Sequence, residues 1–379
     1  MKYLYLISPL LFASCADYNL NIVQNETIYF DDCLNQQYNS IYQLVDSVIL
    51  IPLETKDESI LDDLILCLEI SKDFVYLIDY YQGGSVAIFK TDGTFVRRIP
   101  RGNGPGEVPR AMKLAYDKFN DELIVYHYGH IKKYSADGVF KDDYKLSYMI
   151  SDILPLRSGE GYIICQDEGR NPSGVFCIFT TDDSFNVMEV IALDQKTQTS
   201  YSNRCLIYGE NDDIIISRAY DNNIYSLSDS SISIKYHLCY PNNELELPED
   251  VSTYNYKKFQ EIHVEGKFLY EGGFCETNNY ELFKFESNYI PYTFYRSKRT
   301  GEIIGPVDRC SNGSLIEANL TRHKGSNGCF FISMISYRDF LLNYKANEKV
   351  FSPEQMEMLK NFTENDNPII MLYSLKDPE

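Results

Sequence analysis

Apolar and polar residues alternate through most of this chain in short runs that end at Gly, Asp, Asn or Pro. A period of two sends successive side chains to opposite faces, so these runs predict β-strands. Aromatic residues mark a longer period. Phe89, Tyr134 and Phe179 lie 45 residues apart, and Phe95, Phe140 and Phe185 each follow six residues later. Between the two sets fall Thr91-Asp92-Gly93, Ala136-Asp137-Gly138 and Thr181-Asp182-Asp183. Asp and Gly tolerate the positive φ of a tight hairpin, so each pair of runs predicts two antiparallel strands. Four short strands in about 45 residues is the pattern of a β-propeller blade.

The first unit predicts strands at Ile65–Ile70, Phe74–Asp79, Ser85–Lys90 and Phe95–Ile99. The third unit begins with a predicted strand at Met149–Leu154 and the fifth with one at Lys267–Gly272. Third-strand aromatics at Phe89, Tyr134, Phe179, Tyr225, Tyr295 and Tyr373 count six blades. The last run, Pro368 to Leu375, has no strand after it. Val48 to Leu53 precedes the first blade and has no blade of its own. Pairing these two closes the ring and removes both sheet edges, and Pro52 is tolerated on an outermost strand. The expected fold is therefore all-β: a six-bladed β-propeller of four-stranded blades, closed by the N-terminal strand in the C-terminal blade. Helices are expected in the last blade at 336–346 and 353–363, the second started by Ser352-Pro353.

The N-terminus adds an address. Lys2 and the apolar stretch Leu4 to Phe12 form a segment too short to span a bilayer. Phe12-Ala13-Ser14-Cys15 resembles a bacterial lipobox, with Phe where Leu is usual. The expected organisation is a lipoprotein signal peptide over 1–15, a tether over 16–40 and the propeller over 41–379. Cys15 is then the lipid attachment residue and the lipid alone holds the chain on the membrane. Asp17 resembles an acidic export signal, with the face of the membrane left open. Formal charge is −20, from 35 Lys plus Arg against 55 Asp plus Glu, which argues against binding nucleic acid through its phosphates. The ten cysteines include no C-x-x-C pair, so a zinc site is not expected, and Cys165 with Cys177 is the candidate disulfide for an oxidising compartment.

Several segments together carry a family resemblance. They are Ile51-Pro52-Leu53-Glu54-Thr55, Phe89 to Ile99, Arg101-Gly102-Asn103-Gly104-Pro105-Gly106-Glu107 and Asn367-Pro368-Ile369-Ile370. They look like the six-bladed β-propeller lipoproteins of Bacteroidetes, which are distantly similar to NHL-repeat propellers. The resemblance covers roughly residues 40–379. It implies a propeller in the bacterial cell envelope, at the outer membrane on its periplasmic or surface face, and implies no particular activity.

Candidate chemistry is sparse. The glycine loop at 101–107 is followed by a strand and contains Pro105, which argues against a phosphate-binding loop and for a turn between blades. Its second reading is an anion or substrate contact through Arg101, Asn103 and Glu107. On the same face, turns between second and third strands carry Tyr80, Tyr81, Tyr128, His130, Arg170 and Tyr220. Aromatic rings beside amides and charges suit a glycan or a peptide. Asp79, at the end of a second strand, is the best single candidate acid, set against its reading as a turn residue. His127 and His130 are too close around one turn to suggest more than a weak metal pair. No hydrolase, protease, nucleotide or EF-hand motif is present. The sequence thus favours a monomeric, non-catalytic binding or scaffold lipoprotein without cofactor, for a glycan, peptide or envelope protein. The alternative is a lactonase-like or esterase-like propeller hydrolase or lyase, with Ca²⁺ held by carboxylates and amides in the central channel.

Overall fold

In the computed structural model the described residues are 24–30, 44–62, 64–166, 176–194, 204–209, 213–219, 221–228, 231–240, 268–288, 290–308, 315, 320, 323–344 and 350–376. Two strands come before the first blade, β1 (Gln24–Tyr29) and β2 (Val45–Pro52). Blade one is β3 (Ile65–Ile70), β4 (Phe74–Asp79), β5 (Ser85–Lys90) and β6 (Phe95–Ile99), paired in chain order. Blade two is β7 (Lys113–Asp117), β8 (Glu122–His127), β9 (His130–Ser135) and β10 (Phe140–Lys145). Blade three is β11 (Asp152–Pro155), β12 (Gly161–Gln166), β13 (Phe176–Asp182) and β14 (Val187–Asp194). Blade four is β15 (Leu206–Tyr208), β16 (Ile214–Ser217), β17 (Asn223–Ser228) and β18 (Ser231–Cys239). Blade five holds β19 (Leu269–Tyr270), β20 (Cys275–Glu276), β21 (Tyr280–Ser287), β22 (Ile290–Ser297) and β23 (Ile303–Asp308). The last blade has β24 (Gly325–Ser326), β25 (Phe331–Ile335), helices α1 (Tyr337–Asn343) and α2 (Pro353–Lys360), and β26 (Ile369–Leu375). The fold is a six-bladed β-propeller.

The repeated aromatics are packing residues. Phe89, Tyr134, Phe179, Tyr295 and Tyr373 are buried on third strands, each in the layer between neighbouring sheets. In blades one and two the six-residue spacing puts the second ring across the hairpin. Phe89 and Phe95 meet edge-on at 5.4 Å, and Tyr134 and Phe140 at 5.8 Å. Such pairs add about 0.5–1.5 kcal/mol beyond the area they bury. Blade three departs from this: Phe185 takes φ +63° and stacks on Tyr162 at 4.6 Å.

The ring closes as expected. β2 is the outer strand of the last blade, antiparallel to β26, with Ile51 opposite Ile370 and Pro52 opposite Ile369. Both helices lie between β25 and β26. Ser336 caps α1, and Ser352 with Gln355 forms a reciprocal capping box at α2, with Pro353 in its first turn. Each helix is shorter than the sequence suggests. Tyr344 is already extended at φ −67°, ψ 127°, and Asn361 ends α2.

Four expectations need correction. Residues 16–40 are not only a tether, because β1 lies within them. β1 pairs in parallel with β18 and gives blade four a fifth strand. Its alternation is clear: Ile28 and Phe30 are buried at 3% and 0%, while Tyr29 between them is 62% exposed. Phe30 sits edge-on among Phe283, Phe285 and Phe294 at 5.3, 4.8 and 5.2 Å. The fifth inner strand is split into β19 and β20, because Gly272 and Gly273 turn the chain between them at φ +73° and +70°. A Cβ on Gly272 would stand 2.8 Å from the Ala219 nitrogen, so that turn also needs the absent side chain. The third inner strand begins at Asp152, not Met149. Cys165 is a free thiol whose cross-strand partner is Ile178, while Cys177 pairs with Gln166. Cys165 instead lies beside the Cys205 thiol.

Candidate functional site

Inner strands of a propeller surround the axis, and here they enclose a cavity of about 920 Å³ lined from all six blades. The cavity has two ends, set by where the inner strands begin and end. Leu64, Arg204, His323 and Lys324 precede their strands, with Lys284 of β21 alongside. Ser71, Lys118, Gly209, Asn278 and Asn327 follow theirs.

The first end is charged. Arg204 forms an ion pair with Glu69 across the cavity. Burial raises the Glu69 carboxyl above its ordinary range, with Arg204 opposing the shift. Burial works against the Arg204 charge as well, but Glu69 and Asp152 outweigh it and hold the guanidinium firmly protonated. Asp152 fixes this corner. Its carboxylate accepts from the Cys205 and Leu206 amides at 2.7 and 2.9 Å, tying β15 to β11. Lys284 donates to the His323 carbonyl at 3.2 Å, and Lys324 donates to the Ile65 carbonyl at 3.3 Å. His323 is 5% exposed, and its Nε2 meets the Gly273 carbonyl at 3.4 Å. Its Nδ1 has no partner. Burial, with the charges of Lys284 and Lys324, pushes the imidazole well below its ordinary value, so it is neutral.

The second end is aromatic and amide-rich. Lys118 lies over the Tyr208 ring at 4.2 Å, and Tyr116 stacks on Tyr76 at 5.7 Å. Glu276 reaches this end between Lys235 and Lys298, at 3.0 and 3.3 Å. Among the described residues no group of three or more His, Cys, Asp or Glu side chains is placed to hold a metal ion.

The residues expected from sequence lie elsewhere. Tyr80 and Tyr81 occupy the turn after β4, their rings edge-on at 5.4 Å, with the Arg110 guanidinium 5.2 Å over Tyr80. Arg101 packs on Gly83 and donates to the Pro109 carbonyl at 3.2 Å. Glu107 folds back onto the Gly104 amide at 2.9 Å, and Lys132 and Tyr134 donate to the Gly104 and Gly106 carbonyls at 3.1 and 3.2 Å. The glycine loop is thus satisfied from within and serves as a turn, with Asn103 exposed at its tip. Tyr128 and Gly129 form a tight turn at φ +35° and +79°, and His130 follows, bonded to Asp143 at 3.1 Å. These seven residues share one face of blades one and two, and none lines the cavity. Arg170, Tyr220 and Cys15 lie outside the described residues. Asp79 is fully buried and accepts from the Asp62 and Gln82 amides at 3.1 Å each, which is the work of a turn anchor.

Sequence reasoning missed Glu69, Arg204, Lys284, His323 and Lys324. One signal was available: Glu69 is a charged residue inside the otherwise apolar β3, where a charge needs a partner or a cavity.

His127 yields a pH prediction. It is 7% exposed, its ring stacks on His130 at 5.2 Å, and its Nε2 is buried without a partner. Burial, then the charges of His130 and Lys132, push it down to about 4. The unfolded chain titrates near 6.5 and so binds more protons below that pH. Stability is complete above about pH 6.5 and declines as pH falls toward 4, by about 2 kcal/mol at pH 5. Urea unfolding at pH 7.5 and 5.0 measures this. His127→Gln should shrink the difference by that amount, and an unchanged difference would sink the assignment.

No curated protein matches the chain. Among solved structures it is similar to a protein of Bacteroides fragilis assigned as exported, at 16% identity and TM-score 0.70, covering 94% of this chain and 100% of that one. It is also similar to a DUF4221 family member of Bacteroides vulgatus, at 10% identity and TM-score 0.52, covering 88% and 98%. At such identities both matches speak to the fold. The sequence itself matches a family over residues 26–374, a span that begins within β1 and ends within β26 and so takes in every blade. The chain belongs to the family described as domain of unknown function (DUF4934).

Proposed function

We propose that this chain is a binding propeller of the bacterial cell envelope, anchored by lipid at Cys15, monomeric, and needing no cofactor. It takes a small ligand, a glycan or short peptide, in its central cavity. The cavity carries the reading. At about 920 Å³ it is in the range of small-molecule sites, on a rigid scaffold, with a few polar groups converging in it. The lipobox and the similarity to an exported Bacteroides protein support the location. An envelope protein docking on the Tyr80–Tyr81 face is the second way the same scaffold would serve.

The test is thermal unfolding of purified residues 16–379 against panels of oligosaccharides and peptides. A ligand at a hundred times its dissociation constant should add about 2.7 kcal/mol. A panel without effect would overturn cavity binding. A stoichiometric metal whose chelation lowers the melting temperature would favour the hydrolase alternative instead. Cys15→Ala should release the full-length protein from the membrane fraction.

A further inference from the structure

We infer that the cavity's ligand is an acidic sugar, its carboxylate, sulfate or phosphate held where the inner strands begin, by Arg204, Lys284 and Lys324. The inference rests on the cavity-binding reading above and names the chemistry of the ligand.

The charge balance is the first observation. The chain as a whole has 55 acidic and 35 basic residues. Among the described residues its cavity reverses that ratio, with Lys72, Lys118, Arg204, Lys284 and Lys324 against Glu69, Glu276 and Asp339. The three acids are already engaged. Glu69 holds Arg204, Glu276 holds Lys235 and Lys298, and Asp339 accepts from the Ser336 hydroxyl at 2.8 Å. Lys235 and Lys298 are not part of the lining, so Glu276 is neutralised from behind the wall. Low-dielectric walls of one sign concentrate ligands of the other.

The second observation is the crowding of positive charge beside a buried imidazole. Lys284, His323 and Lys324 sit within each other's fields on one wall. Burial holds the Lys284 ammonium below its ordinary value, with Lys324 adding to the shift and Glu271 opposing it. Glu271 gives incomplete relief. Burial and a hydrogen bond to Glu286 push it up to about 7, so it is only partly ionised near neutral pH. His323 adds a buried Nδ1 with no partner. An orphaned buried nitrogen beside two lysines calls for an explanation, and an oxyanion nearby supplies one. It would offset the repulsion between the lysines and favour a proton on the imidazole, turning Nδ1 into a donor.

The rest of the cavity suits the body of a sugar. Leu64 and Leu66 are each 40% exposed on one wall and offer an apolar surface for ring C–H groups. Asn278 and Asn327 at the far end supply amides for hydroxyls.

Titration calorimetry on residues 16–379 tests this with five probes: a uronic acid trisaccharide, a sulfated disaccharide, a neutral glucose trisaccharide, inorganic phosphate and inorganic sulfate. At least one acidic sugar should bind at least tenfold more tightly than the neutral one and than either free anion, and lose affinity steeply as NaCl rises. Lys284→Met with Lys324→Met should lose at least tenfold in affinity at an unchanged melting temperature. If that pair fails to fold, Lys324→Gln and the salt dependence of the wild type read the same charge. Neutral sugar binding as well as acidic would overturn the inference and leave cavity binding standing. Phosphate or sulfate binding as tightly as any saccharide would overturn the sugar. Binding of none of these, together with a silent ligand panel, would overturn the cavity reading itself.

Discussion

A chain that begins at Glu54 will not fold into a monomeric ring. It lacks β2, and with it the buried side chains of Val45, Ile51 and Leu53, at 5%, 8% and 3% exposure. It also lacks β1, with Ile28 and Phe30. Burying an aliphatic or aromatic side chain is worth roughly 1.5–3 kcal/mol, so five of them amount to about 10 kcal/mol. That equals the whole stability of a typical domain. Loss of β2 also bares the β26 edge, whose apolar residues would then invite pairing between chains. The expected result is aggregation in size-exclusion chromatography and no cooperative melt. A chain starting at residue 40 is the control. Of the described strands it keeps β2 and loses only β1, and it should fold with a lower melting temperature. A cooperative, monomeric melt from the Glu54 chain would refute this account of ring closure.

Asn367→Leu comes next, with an expected loss of about 4 kcal/mol. Asn367 is 3% exposed and lies just before β26. Its Oδ1 accepts from the Leu61 amide at 2.7 Å, while its Nδ2 donates to the Glu54 and Ser59 carbonyls at 2.8 and 3.0 Å. One amide thus satisfies three backbone groups in the segment between β2 and β3, and so locks the last blade to the first. Leucine fills the volume but leaves the Leu61 amide and the Ser59 carbonyl without a partner, at about 1–3 kcal/mol each, while the Glu54 carbonyl keeps the Ser59 hydroxyl at 2.7 Å. Asn367→Asp should not rescue, because it turns a donor facing two carbonyls into an acceptor. Urea unfolding decides the matter, and a loss below about 1 kcal/mol for Asn367→Leu would refute it.

The blades could be read from the chain because local rules and the fold agree in them. Asp92-Gly93 makes the hairpin it promises: Gly93 takes φ +91°, and its missing Cβ leaves room for the Pro52 carbonyl. The strands of blade one, β3 to β6, begin and end where alternation places them. β1 escaped because it joins β18 in parallel, with about two hundred residues between them and no turn to announce the pairing. The cavity escaped for a different reason. Alternation tells that two faces exist, but a bulge resets which face is which. In β3 the register shifts between Ile65 and Cys67, so parity counted from Ile65 puts Leu68 on the axis and Glu69 in the body. The structure does the reverse: Leu68 is buried with Val75 and Leu77, and Glu69 meets Arg204. Loop residues such as Tyr80 and Tyr128 were easy to find because they are exposed. Residues lining a cavity depend on six inner strands meeting, which no single stretch of sequence contains.

The separation of β1 from β2 sets an order of failure under tension. A pull arriving through the N-terminus reaches β1 first, and β1 is held by blade four and by the ion pair of Glu26 with Arg296. Residues 31–43 lie between it and β2, which is held in another sheet by β26. Stripping β1 from β18 would leave the β2–β26 pairing intact, so β1 would act as a mechanical fuse that spares the seam.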